Sequence, residues 1–503
     1  MSITKLGKWL QRPFKFDGSG ERVKMKVVHN EDARSDNILD NDAANGEIDK
    51  LSDPEEMDHI EQEEVHGQNI GIRASLKAVF SWKNYRVYLA TAWIFNAFTY
   101  LGSFFNLYLW SIIPNLIFIG AVGTISASIG TTARFFGGYV GDTVNRKTLS
   151  VVSMFIMSIY YMMIGLFTDP LLIVVALILY VSAEIAKGGS TAYIMDNIPR
   201  EHSGLALSLF TAGRTLSIIT LVIFGILFPI MEWEIFRQLH LVGAILILIS
   251  TVVRAKYLET SPQIGRAEGS KLWRSFLEDN RRALEILISL IPGMIIVCIF
   301  DSISDTFFKL GALIYMNDVL LIDVSSMVVM FIVTIAIQVP LILKVGRLTD
   351  RRGVKSTAML VYSIMPISAA LLIVAYWIPD WAPLSVSTFA NSIIPGLGVV
   401  FKTSFLAVVM KYVNDTLWYT IVLVLIRKRL PSKDTSKILS LFWFIVWIAA
   451  SFGPIIGGLI SEATNIMSLF VMVFILNIII LMAIARYDLT TKGQEGQEII
   501  ISE

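Results

Sequence analysis

The sequence contains a single cysteine, Cys298, so no disulfide framework and no thiol–metal site can form within one chain. Charge is scarce too: Asp, Glu, Lys and Arg make up 17% of the residues, against roughly 25% in soluble domains. A net charge of +1, with no basic stripe interleaved with aromatics, argues against nucleic acid as a partner. No G-x-x-x-x-G-K-[ST] loop is present, which excludes a pump driven by ATP through such a loop. The five histidines (His29, His59, His66, His202 and His240) are scattered and show no metal-ligand spacing such as H-E-x-x-H. No catalytic constellation, cofactor or metal site is therefore expected, and the chain does not read as an enzyme. The first long apolar run begins only near Val87, so no cleavable signal peptide is expected.

What the chain has in excess is apolar sequence, 54% of its residues. Runs such as Leu171–Tyr180, continuing through Ile194, or Met467–Ala485 can cross a hydrocarbon core of ~30 Å at ~1.5 Å per residue. They lack the polar face at a 3.6 period that a core helix of a soluble protein shows. Spans are predicted near 87–109, 116–140, 149–168, 171–195, 204–229, 236–254, 283–306, 325–345, 357–377, 403–426, 438–460 and 465–485. The loops placed inside hold twenty Lys and Arg residues, whereas those placed outside hold Arg237, Lys309 and Lys402. This asymmetry puts both termini in the cytoplasm of a multi-pass plasma-membrane protein.

The expected organisation is a cytoplasmic tail (1–70), a six-helix bundle (71–254), a cytoplasmic linker (255–282), a second six-helix bundle (283–486) and a short tail (487–503). Residues 1–27 carry seven Lys or Arg against Asp17 and Glu21, and residues 28–65 are acid-rich. The basic stretch reads either as an amphipathic helix on the anionic inner leaflet or as part of a disordered solvating tail. Residues 378–402 are apolar, yet a thirteenth span there would move Arg427–Arg429 outside. With Pro395, Gly396 and Gly398 as helix breakers, they read as an outer insert, re-entrant or interfacial, or else as a long kinked tenth helix.

Two loops share a motif. Gly138-Tyr-Val-Gly-Asp142-Thr-Val-Asn-Arg146-Lys147 follows the second span, and Gly346-Arg-Leu-Thr-Asp350-Arg351-Arg352-Gly353-Val-Lys355 follows the eighth. Both resemble the cytoplasmic signature G-x-x-x-D-R-x-G-R-K of the major facilitator superfamily. The first copy departs from it, with Thr143 for the usual Arg and Asn145 for the Gly. The copies lie 208 residues apart at matching loops, as duplication about an axis along the membrane normal predicts. The resemblance implies an all-α integral membrane protein with twelve transmembrane helices in two pseudo-symmetric six-helix bundles. It also implies a conformational latch of Gly138, Asp142, Arg146, Lys147, Gly346, Asp350, Arg351 and Gly353; alternatively, these residues only set topology.

Gly453-Pro454-Ile-Ile-Gly457-Gly458 in the eleventh span is similar to a motif that marks the fifth span of drug/proton antiporters. The fifth span here, around Thr211–Ser217, lacks it, and small residues at a helix crossing account for the glycines.

In this superfamily spans one, four, seven and ten line the central cavity. Ionisable groups inside a bilayer cost at least ~2.5–3.5 kcal/mol at helix centre, so their placement is a functional signal. Span four carries Glu184 and Lys187, span seven Asp301, Asp305 and Lys309, and span ten Lys411 and Asp415; span one offers Asn96 and Tyr100. Arg134 and Arg214 sit in spans two and five. Glu184 lies 15 residues before Pro199 and Asp415 16 before Pro431, which places the two acids at related depths. Where the family's fourth span carries R-x-x-Q-G, this chain has Glu184-Ile-Ala-Lys187-Gly188. Glu184 is expected to pair with Arg214 or Lys187, either as a proton-coupling group or as a structural ion pair. Asp301, Asp305 and Lys309 share one helix face; Asp301 is expected in the cavity and Asp305 and Lys309 at an outer gate. Trp93, Phe95, Trp443 and Trp447 are candidate pocket aromatics or packing residues.

Together these features predict a monomeric secondary transporter in the lipid bilayer. It would carry a small polar solute (a sugar, organic acid or other metabolite) by alternating access, coupled to H+. A proton-driven exporter and a transporter-like sensor signalling through its tail are the alternatives.

Overall fold

The computed structural model describes residues 72–186, 206, 209–210, 212–260, 269–352, 354–429 and 435–486. The expected tails, 1–70 and 487–503, lie outside the described residues.

A bilayer core offers no water to backbone amides and carbonyls, so an apolar chain closes its hydrogen bonds within helices. The described residues follow that rule, with a lone antiparallel β-bridge between Asp380 and Lys402. The first half supplies α1 (Ile72–Ser81), α2 (Lys83–Ala97), a 3₁₀ turn (Thr99–Phe104), α3 (Phe105–Ile112), α4 (Leu116–Thr143), α5 (Arg146–Leu166), α6 (Pro170–Ser182), α7 (Ser217–Met231) and α8 (Trp233–Tyr257). The second supplies α9 (Gly269–Leu290), α10 (Pro292–Asp318), α11 (Val324–Arg352), α12 (Val354–Tyr362), α13 (Ile364–Val374), α14 (Leu384–Ile393), α15 (Thr403–Arg429), α16 (Thr435–Ala450), α17 (Gly453–Ala463) and α18 (Met467–Arg486). Helix starts follow local chemistry. Asn115 accepts from the Phe118 amide at 2.8 Å, and Asp169 accepts from Leu171 and Leu172 with Pro170 at the first helical position.

Among the described residues six helical stretches are long and apolar enough to cross a membrane: Leu116–Gly137, Arg146–Leu166, Trp233–Tyr257, Lys355–Val374, Ile438–Ala463 and Met467–Arg486. The other predicted spans fall on helices that are broken, as at the 3₁₀ turn after Ala97, shorter, as in α7, or charge-bearing, as in α10 and α15.

The seventh span departs from the sequence reading. It starts at Pro292, not near 283, and runs to Asp318. Residues 283–290 belong instead to α9, whose exposed charges include Arg281, Arg282 and Glu285, and the two helices meet at 94°. Proline suits the first turn of a new helix, where its missing N–H leaves no bond unmade. The shift matters because Asp305 becomes the fourteenth of 27 residues, at the middle of α10.

The glycine-rich stretch of the eleventh span lies against the second span. A Cβ on Gly458 would strike the carbonyl of Leu116, and one on Gly120 the carbonyl of Pro454. Farther along the same crossing Thr124 accepts from the Ile455 amide at 3.1 Å, Ser128 meets Ser451 at 2.9 Å, and Phe135 stacks on Phe444 at 4.2 Å. Helices approach this closely only where side chains are absent or small. Gly458→Val should therefore lower stability by about 1–3 kcal/mol. The check is thermal unfolding in detergent, with Gly102→Ala as control because nothing lies within 4 Å of a Cβ there.

At the other end of the first span, Arg254 is buried and donates to Thr91 at 2.8 Å and Ser150 at 2.7 Å, with its guanidinium 4.2 Å from the Tyr88 ring centre. Glu259 binds Asn84 and faces Lys83 at 3.9 Å, which fastens the end of α8 to the start of α2.

The insert is a separate element, not a kinked extension of the tenth helix. Helix α14 is followed by Gly396 at φ +85°, which only glycine adopts at no steric cost, and α15 begins afresh at Thr403. Asp380 and Lys402 close its base at 2.9 Å. Trp377, Trp381, Leu384 and Phe389 remain exposed, the composition of an interfacial segment.

Candidate functional site

Two helices build a dense polar cluster. On α10 the i, i+4, i+8 spacing puts Asp301, Asp305 and Lys309 on one stripe; on α15 Lys411 and Asp415 stand one turn apart. The stripes face each other. Lys411 reaches Asp305 at 3.0 Å and also contacts Asp415 directly, while Lys309 reaches Asp305 at 2.5 Å. Lys411 is only 2% exposed, so its ammonium depends on these two carboxylates for solvation.

Asp301 has a different environment. It accepts from the Tyr362 hydroxyl at 2.8 Å and from the Trp418 indole N–H at 3.0 Å. Tyr362 also lies 3.1 Å from the Asn477 oxygen, to which Ser304 donates at 2.9 Å. A phenol has one proton to give, and the shorter contact assigns it to Asp301.

These groups open onto a cavity of about 340 Å³ lined by Asp301, Asp305, Lys309, Asp415, Trp443 and Trp447, with Trp418 and Tyr419 completing its wall. Trp443 stacks on Trp447 at 5.1 Å and lies 5.2 Å from Tyr419. The volume lies within the roughly 300–1,000 Å³ of small-ligand sites. Arg134 approaches from the second span, 4.9 Å above the Trp447 ring.

The structure thus brings together Asp301, Asp305, Lys309, Lys411 and Asp415. Asp305 and Lys309 sit in this cluster, and the later start of α10 puts Asp305 at mid-helix, one turn deeper than Lys309. Glu184 meets Arg134 at 3.3 Å, a partner from the second span that sequence spacing does not suggest. Lys187 and the Arg214 side chain lie outside the described residues. Asn96 is buried and its backbone carbonyl accepts from Ser217; Tyr100 packs on the hydrophobic core; neither lines the cavity. Trp93 donates to the Leu209 carbonyl at 3.0 Å and Phe95 packs edge-on to Tyr161, which makes both packing residues.

Of the latch, Arg146 and Lys147 open α5, where Asn145 caps the Lys147 amide at 2.9 Å. Gly353 and the side-chain surroundings of Gly138, Asp142, Gly346, Asp350 and Arg351 lie outside the described residues. Sequence reasoning missed Tyr362, Trp418 and Asn477. Asn477 did carry a signal, as the one amide in the apolar α18.

A sequence profile described as Major Facilitator Superfamily matches residues 87–417, more than half of the chain. The chain belongs to the major facilitator superfamily. Its structure is similar to that of the nucleoside transporter NupG, at 14% identity and a TM-score of 0.55, covering 80% of this chain and 98% of that one. A POT family transporter in complex with 5-aminolevulinic acid matches at 10% identity and 0.56, covering 80% and 96%. A bacterial homolog of the human lysosomal transporter Spinster, inward-facing and unoccupied, matches at 14% and 0.51, covering 80% and 96%. No curated protein matches the sequence. At such identities the likeness shows the fold alone, that of an all-α, multi-pass membrane protein.

One more set of contacts in this facilitator joins the chain's two halves, at the end expected outside. Trp110 donates to Asp318, the Leu116 amide to Glu462 at 3.2 Å, and Asn106 to the Lys309 carbonyl at 3.4 Å. Trp110→Phe removes the first of these. A cysteine placed at Ser302, within the cavity, should then react several-fold faster with a membrane-impermeant maleimide, since a hydrogen bond at an exposed site contributes about 0.5–1.5 kcal/mol. The native Cys298 lines the same cavity, so the measurement is made in a Cys298→Ser background.

Proposed function

We propose that this facilitator is a secondary transporter that moves a small polar solute by alternating access, coupled to a proton, with Asp301, Asp305, Lys309, Lys411 and Asp415 as its central binding groups. The observation that carries this reading is a charge count. Three carboxylates face two ammonium groups, so the cluster is one positive charge short. Surplus charge in a bilayer is costly, and the cheapest remedies are a bound proton or a cationic group on the solute.

Geometry narrows the proton's place. Asp305 and Asp415 have ammonium partners, whereas Asp301 is held by neutral donors. Asp301 is therefore the proton site, with Tyr362 and Trp418 as positioning residues. The solute takes the space between Asp415 and the Trp443–Trp447 stack. Carboxylates and lysines favour a molecule bearing amine, hydroxyl or carboxylate groups, and the aromatic wall accommodates a ring.

The rest of the reading keeps to the two bundles, 71–254 and 283–486, in a plasma membrane with both termini inside. Glu184 and Arg134 act as a salt link in the N-terminal bundle beside the C-terminal cavity. The latch motifs hold one end closed in one state.

The test is flux in proteoliposomes holding the full chain and a trapped pH dye, with a panel of sugars, organic acids, amino acids and nucleosides. A solute that moves protons on addition, and accumulates under an inward proton gradient, supports the proposal. Accumulation that follows a sodium gradient and leaves the dye unmoved would refute proton coupling and keep transport. A panel that binds, by thermal shift, yet never crosses would favour a sensor.

A further inference from the structure

A second cavity opens on the opposite side of α15, toward lipid. It measures about 500 Å³ and lies between α11, α12, α13 and α15. Nine of its ten lining residues are apolar, among them Ile337, Leu360, Val361 and Val413, and none is charged. Leu360 is 50% exposed at the mouth, so the groove communicates with the bilayer. The tenth residue is Asn414. It is 1% exposed, and both its amide nitrogen and its amide oxygen lack a hydrogen-bond partner.

This is an unusual arrangement for a helix in hydrocarbon. A buried polar group without a partner costs about 1–3 kcal/mol, and no water shares the bilayer core to relieve it. Gln338 on α11, next to the lining residue Ile337, is engaged by Thr416 and the Tyr412 carbonyl on the other flank of α15. Phospholipid tails would fill the groove but leave the amide unmet. A charged headgroup would find no countercharge.

We propose that this groove binds a neutral lipophile from the bilayer, an apolar body carrying one hydrogen-bonding group such as a hydroxyl, with Asn414 as the residue that reads that group. The amide suits the task because it offers two donors and an oxygen acceptor, so it accepts either orientation of a hydroxyl. The volume falls within the roughly 300–1,000 Å³ of small-ligand sites. Asn414 precedes Asp415, and consecutive residues point about 100° apart on a helix. One helix therefore carries the ion pairs on one side and the lipophile on the other.

The experiment is photolabelling of the full chain in nanodiscs with two diazirine probes of equal length, a long-chain alcohol and the matching alkane. The alcohol should label peptides containing Leu360 and Val413 about tenfold more than the alkane, the selectivity of roughly 1.4 kcal/mol that one hydrogen bond provides. Asn414→Leu, close in volume, should reduce the alcohol to the level of the alkane. Leu360→Trp, which plugs the mouth and leaves the amide alone, should suppress both probes; it keeps the test decisive if the first variant folds poorly. Equal labelling by the two probes in the wild type would mean a groove filled by acyl chains and would overturn the proposal. Labelling unchanged in both variants, or none at these peptides, would do the same.

Discussion

Replacement of Lys411 by methionine is expected to be the most damaging single change in the central cavity. The ammonium holds Asp305 at 3.0 Å and touches Asp415, and it is almost fully withdrawn from solvent. Its loss leaves both carboxylates facing Asp301 with only Lys309 to balance them. Removal of one partner from a buried pair costs about 3–5 kcal/mol, a large share of the roughly 5–15 kcal/mol that keeps a domain folded. Lys411→Met should therefore reduce the monodisperse fraction and lower the melting temperature in detergent sharply. Addition of Asp305→Asn restores the original charge balance and should recover more than half of that loss. Wild-type stability in the single variant would mean that the ion pairs contribute little to the fold.

Replacement of Asp301 by asparagine is expected to separate coupling from binding. The amide oxygen can still accept from the Trp418 indole, and the amide NH2 can donate to the Tyr362 hydroxyl, whose proton then turns to Asn477, so the wall of the cavity keeps its shape. What disappears is the proposed proton site. Without that coupling, accumulation above the external concentration under an inward proton gradient should disappear, leaving only equilibration. Solute exchange at equal pH on both sides, which needs no net proton movement, should remain near the wild-type rate. In the wild type, accumulation should weaken as external pH rises, because fewer protons reach the carboxylate; in Asp301→Asn it should be flat. Glu184→Gln serves as the comparison. If that variant loses the pH dependence and Asp301→Asn keeps it, the proton site lies in the N-terminal bundle beside Arg134 instead.

The helical membrane architecture was readable in the residues because hydropathy runs and the paired loops at Gly138 and Gly346 are properties of the chain itself. So were the cavity's ionisable groups on α10 and α15, since charge in an apolar run is conspicuous wherever the helix goes. What escaped was set by neighbours far away in sequence. Glu184 finds Arg134, 50 residues earlier, because the second and fourth spans pack together. Asp301 finds Tyr362 and Trp418, 61 and 117 residues later. The shifted start of the seventh span had a local cause: the apolar stretch 283–291 reads as span until Pro292 is recognised as the first residue of a new helix. Asn414 is a different case. Its amide is visible in the sequence, but that it faces an apolar groove and finds no partner depends on how α11, α12 and α15 surround it.

The crossing of the second and eleventh spans bears on how the molecule can move. At Gly120 and Gly458 the two helices touch main chain to main chain. At that point the joint has no rotamers to reset when it rolls; the side-chain contacts, Thr124, Ser128–Ser451 and Phe135–Phe444, lie farther along it. It behaves as a smooth bearing: the halves can tilt about it while the distance between the helix axes stays fixed. If the proposed alternating access holds, bulk introduced there should act less on solute affinity than on the frequency of the stroke, so that a variant jammed at this point still binds its solute while delivering almost none.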